Sequence, residues 1–151
     1  MGLDFAQHNQ KATEFIKEVA RELETPGDVA YADRLVKSVL SVLREMIQPE
    51  ESLNLVSSLP MYLQGLLLDG WKMTWDTKRI ETREEFFDEL REKYPRTTGR
   101  PLGDYQSARK DVKAVLRVLQ KYVPEGEVLH VKTQLSPPIA ELWDKEEYEE
   151  R

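Results

Sequence analysis

Apolar residues recur along this chain at steps of three and four, with polar residues on the intervening positions. That rhythm belongs to helices that bury one face. Phe5, Ala12, Phe15, Ile16, Val19 and Leu23 mark a first helix, opened by Asp4 in a capping-box-like Asp-x-x-Gln and ended at Pro26-Gly27. Asp28 suits the N-cap of a longer second helix, because its carboxylate can accept from unpaired backbone N–H groups. The stripe of that helix is Ala32, Leu35, Val36, Val39, Leu40, Leu43, Met46 and Ile47. Pro49 and Pro60 each open a short helix, at the position that tolerates a missing N–H. Gly70 closes the second of these, with Trp71 folded back as its hydrophobic anchor.

After a connector at residues 72–81 the same plan returns. Thr82 and Glu85 read as a capping box, and Phe86, Phe87, Leu90 and Tyr94 supply a buried face. Asp104 caps a second long helix with the stripe Ala108, Val112, Val115, Leu116, Leu119 and Val123. Pro124 and Pro137 open two further short helices, the last carrying Ile139, Leu142 and Trp143. No run alternates β-branched and polar residues at period two, so no sheet is predicted.

The return is also a return of sequence. Residues 27–67 align without a gap to residues 103–143, and 13 of these 41 pairs are identical. In-phase amphipathic helices share leucines without kinship, so the informative matches are those off the stripe: Gly27/Gly103, Asp28/Asp104, Glu51/Glu127 and Leu59/Leu135. With the offset reduced from 76 to 71, Glu14/Glu85, Phe15/Phe86 and Glu18/Glu89 pair as well. The extra residues of the second copy then fall in residues 95–103, a loop by composition. The expected fold is all-α, with two tandem helical repeats packed as one bundle-like domain. Repeat one covers residues 4–71 and repeat two residues 82–143, followed by an acidic tail at 144–151. Each copy is too small to hide its apolar face alone, so both should share one core.

Composition narrows the function classes. The 151-residue chain has no cysteine, which excludes disulfides, thiolate metal sites and a Cys nucleophile, and fits a reducing cytoplasm. No secretory signal, myristoylation motif (Ala6 stands where Ser or Thr is needed) or membrane-length apolar run is present. The formal net charge of −6 argues against attachment to nucleic acid or an anionic membrane.

Several motifs together resemble the bacterial family grouped as domain of unknown function 2267. They are Leu59-Pro60-Met61 with Leu63, Gly65 and Leu66, then Gly70-Trp71. Thr82-Arg83-Glu84-Glu85-Phe86, residues 114–119 (Ala-Val-Leu-Arg-Val-Leu) and Gln134-Leu135 complete the set. The resemblance runs from about residue 13 to 143. Departures are Leu135-Ser136-Pro137 in place of a second Leu-Pro and a longer loop at 95–103. The resemblance implies a small helical bundle of two repeats, and no activity, cofactor or catalytic residue.

Candidate chemistry is sparse. Glu127 and His130 are spaced to share one helical face, as in carboxylate–histidine metal sites of helix bundles. Such sites need further inward ligands; His8 is distant in sequence and the counterpart of His130 is Asn54, so a rim histidine is the plainer reading. No Gly-x-Ser-x-Gly elbow occurs, and Gly65 to Gly70 has phosphate-loop spacing but ends in Trp71-Lys72 rather than Lys-Ser/Thr. Arg109, Lys113, Arg117 and Lys121 recur every fourth residue as a cationic ridge, where repeat one has Asp33, Lys37, Ser41 and Glu45. This ridge is either a solvated face or an anionic partner's contact, and Trp75 adds a candidate aromatic contact in the connector. With no catalytic constellation and no cofactor signature, the expected function is a cytoplasmic, non-enzymatic protein-interaction module, self-association included. The alternative is a small-molecule-, anion- or metal-binding helical protein, or an enzyme, with its site between the repeats. That alternative would use Glu127 and His130 for a metal and Arg109, Lys113 and Arg117 for an anion.

Overall fold

A computed structural model describes residues 2–23, 26–68, 76–95 and 99–144. The described residues are helical throughout their regular parts and include no strand, as the periodicity predicts. The helices are α1 (Gly2–Glu22), α2 (Val29–Met46), α3 (Pro49–Ser57), α4 (Met61–Leu68), α5 (Arg83–Lys93), α6 (Tyr105–Tyr122), α7 (Glu125–Thr133) and α8 (Pro137–Ala140). A 3₁₀ turn, Glu141–Trp143, follows α8. Helices α2 and α6 are both 18 residues long, α3 and α7 both 9, and each pair starts 76 residues apart.

Local signals fix the helix ends. The Asp28 carboxylate accepts from the Tyr31 N–H at 3.0 Å, and Asp104 accepts from the Ser107 N–H at 3.0 Å. The Thr82 hydroxyl oxygen accepts from the Glu85 N–H at 3.1 Å, while its own hydrogen goes to the Glu85 carboxylate at 3.0 Å. Gly27 takes a φ of +96°, a left-handed value that suits glycine, and its N–H reaches back to the Ala20 carbonyl at 2.9 Å. One expectation shifts: α1 begins at Gly2, so Asp4 falls within its first turn instead of before it.

The long helices organise the packing. α2 lies against α1, α3, α4, α5 and α6, and α1 also lies against α4 and α6. α3 packs on both α4 and α7, which brings the two short helices with matching spacing side by side. One core contains Phe15, Val19, Leu35, Val39, Leu43, Leu63, Phe86, Leu90, Val112, Val115, Leu119 and Ile139. Burying each such side chain contributes about 1.5–3 kcal/mol.

A polar pair is set into that core. Tyr31 of α2 donates its phenol to Asp111 of α6 at 2.9 Å, and Asp111 is 0% exposed. The Arg100 guanidinium stacks over the Tyr31 ring, 4.1 Å from its centroid. Burial and the Asp111 carboxylate hold the Tyr31 phenol far above its ordinary titration range, so it stays a donor at every physiological pH. Tyr31→Phe keeps the ring and removes one donor from a buried carboxylate. It should lower stability by about 2 kcal/mol, read as a reduced midpoint in urea with an unchanged slope.

Candidate carboxylate–histidine site

Helices α3 and α7 each carry a glutamate at the third residue, Glu51 and Glu127. Proline sets both starts, as the first residue of α3 (Pro49) and as the N-cap of α7 (Pro124). Both glutamates stand in a first turn, where the helix dipole favours negative charge. Because α3 packs on α7, this matched placement brings the two carboxylates together. His130, one turn after Glu127, joins them, and one donor atom from each of the three lies within 4.8 Å of the others. Glu51 and Glu127 are half-buried and His130 is exposed.

The carboxylates are short of donors. The Oε2 atoms of Glu51 and Glu127 are both buried without a hydrogen-bond partner, and so is the Ser52 hydroxyl beside Glu51. The Gln134 side-chain amide donates to Glu51 Oε1 at 3.1 Å, and its own carbonyl accepts from the Gln48 N–H at 2.7 Å. The Gln134 amide is therefore fixed at both ends and holds Glu51 by one oxygen. Burial, then a hydrogen bond that the protonated Glu127 donates to Glu51, and then repulsion between the two charges push the Glu127 carboxyl up to about 7. Gln134 and Gln48 also line a cleft of about 650 Å³ with Met46, Lys78, Ile80 and Pro137.

The cationic ridge of α6 is distributed differently from its sequence spacing. Arg117 bonds Glu22 at 3.0 Å, and Lys121 bonds Glu18 at 2.9 Å and Glu22 at 3.4 Å. The last two residues of the ridge thus face the acidic side of α1, and Glu18 followed by Glu22 holds the Lys121 ammonium above its ordinary range. Lys113 is only 4% exposed; its stem lies in the core and its ammonium donates to the Asp144 carbonyl at 3.4 Å. Arg109 is half-buried and also engaged. Trp71, Trp75 and the tail beyond Asp144 lie outside the described residues.

Sequence spacing alone pairs Glu127 with His130 and misses Glu51 as their third member. The signal was present: Glu51/Glu127 is one of the identities that fall off the apolar stripe. Gln134 carries no comparable mark, since its role depends on the approach of α3.

A family model described as "Uncharacterized conserved protein (DUF2267)" matches residues 12–142. None of the curated proteins compared with the chain matches it.

The raised Glu127 carboxyl has a definite consequence for stability. Its folded value of about 7 exceeds the ordinary 4.5, so the proton it holds stabilises the fold fully below about pH 4.5. That contribution falls as pH rises and is gone above about pH 7. Glu127→Gln supplies a permanent donor to Glu51. It should melt a few degrees above the unsubstituted protein at pH 8, roughly 1 kcal/mol after solvent screening, and the difference should shrink towards pH 5. Thermal melts across pH 5 to 8 check this.

Proposed function

This chain belongs to the DUF2267 family of uncharacterized conserved proteins, and from its own geometry we propose that it is a cytoplasmic binding module whose ligand site is the α3–α7 junction. The observation that carries the reading is the meeting of Glu51 and Glu127, each with a buried oxygen that no donor reaches other than a proton shared between them. Buried polar groups are ordinarily satisfied, and an incomplete set at a junction of helices is where a ligand completes it. The neighbouring cleft, sharing Gln48 and Gln134, gives a ligand room to approach. The cytoplasm suits a chain free of cysteine. Among the described residues no helix is long and apolar enough to cross a membrane.

A thermal-shift screen of divalent cations, amines and small organic ligands tests the site. A ligand present at about 100 times its Kd stabilises by about 2.7 kcal/mol, and the gain should vanish in the Glu51→Gln/Glu127→Gln double variant. A panel without a shift, or a shift the double variant keeps, would overturn the reading.

Contact with another protein, including a second copy, is the second reading. Its support is the exposure of Leu129 (59%) and of Met61 (55%), the latter beside a groove lined by Leu59, Pro60 and Tyr122. Under this reading the protein sediments as a dimer or larger at tens of micromolar, and Met61→Ser/Leu129→Ser returns it to a monomer. A concentration-independent monomer removes self-association.

A further inference from the structure

The three donors at the α3–α7 junction differ in kind, and that difference names a ligand class. We propose that Glu51, Glu127 and His130 bind one divalent transition-metal ion of borderline hardness, zinc being the type, with a coordination position left open to solvent. The proposal rests on the reading of this junction as a ligand site.

Two carboxylates alone would suit a hard cation such as magnesium or calcium, which draws on oxygen donors. An imidazole within 4.8 Å of both shifts the preference towards zinc, cobalt or nickel. Thiophilic ions have no ligand here, because the chain lacks cysteine. Charge also balances: two carboxylates offset a divalent cation, and each has one oxygen, Glu51 Oε2 and Glu127 Oε2, buried without a protein donor. Outer support is in place as well. Gln134 donates to the other Glu51 oxygen and is fixed in turn by the Gln48 N–H. Such outer partners orient ligands, and their loss typically weakens metal affinity about 10- to 100-fold.

Three protein donors are one fewer than a closed structural zinc site uses, and they match the number in open sites. Exposure of His130 puts the opening on the solvent side. The first half has Asn54 where the second has His130, so the imidazole comes from one side alone. One ion per chain follows.

Full-length protein, stripped with a chelator and desalted, should bind one zinc per chain by isothermal titration calorimetry in the presence of excess magnesium. His130→Ala changes an exposed side chain and should fold normally, yet weaken zinc by at least roughly 100-fold; Gln134→Ala should weaken it about tenfold. Asn54→Ala should leave it unchanged. Cobalt should give visible ligand-field bands with the unsubstituted protein and lose them in His130→Ala. Absence of zinc uptake, or uptake indifferent to His130→Ala, overturns the metal assignment. An organic ligand found in the thermal screen without zinc uptake overturns it too while sparing the junction as a ligand site; silence in both experiments removes both.

Discussion

Everything else in this molecule depends on the burial of α2 and α6 within one core. Each is 18 residues long and apolar over so wide a face that it must be covered by several neighbours. α1 lies on both long helices and α5 lies on α2. Once the long helices are fixed, the Pro49 and Pro124 turns give α3 and α7 little freedom, since each starts three residues after a long helix ends. The distance from the long-helix start to the glutamate is the same in both halves, 22 residues from Val29 to Glu51 and from Tyr105 to Glu127. Juxtaposition of the two carboxylates is thus a by-product of core packing and of equal lengths. Its specificity comes from the backbone, and its chemistry from what each half places beside its glutamate.

Charge follows a different logic. A spacing of four on α6 collects Arg109, Lys113, Arg117 and Lys121 on one side, and the chain places Glu18 and Glu22 of α1 against the end of that row. Exposed pairs of this kind contribute little to stability, with a median near zero to about 1 kcal/mol. Their greater effect is to cancel a local positive field that would otherwise attract anions, which agrees with a net charge of −6. Lys113 shows the limit of reading a face from spacing. A lysine stem is four methylenes of apolar surface, and α6 is covered on so many sides that the stem is taken into the core.

The fold was legible because it rests on local rules repeated many times. Asp28, Asp104 and Thr82 cap helices as their side-chain chemistry dictates, and the Pro49, Pro124 and Pro137 starts fall where a missing N–H does no harm. The site was half legible. Glu127 and His130 are one helical turn apart, so periodicity alone pairs them. Glu51 is 76 residues away, and only the approach of α3 to α7 makes it their neighbour. Gln134 sits after the end of α7, and its bond to Glu51 depends on a side-chain path that no sequence rhythm encodes. Asp111 is missed for the opposite reason: it holds the stripe position that Leu35 holds 76 residues earlier, but an acid is left out of an apolar count until Tyr31 is found donating to it inside the core.

Two polar sets among the described residues can be weighed against each other. At Tyr31–Asp111 a donor meets an acceptor, and the Arg100 guanidinium lies over the Tyr31 ring. That arrangement is complete and needs nothing from outside. At Glu51–Glu127 two acceptors meet, and only a proton or a cation can sit between them favourably. A glutamine at either position would satisfy the other and stabilise the junction, a change of one functional group with the same length and volume. Pure stability therefore does not account for two glutamates here, and local propensity does so only in part, since the first turn of a helix favours acids but does not require these two to touch. The imidazole of His130 is the discriminating piece. It adds a third donor of different hardness, on one half only, with Asn54 at the matching position of the other. An arrangement that is unfavourable alone and complementary to a divalent ion is what a binding site costs a fold that could easily have avoided it.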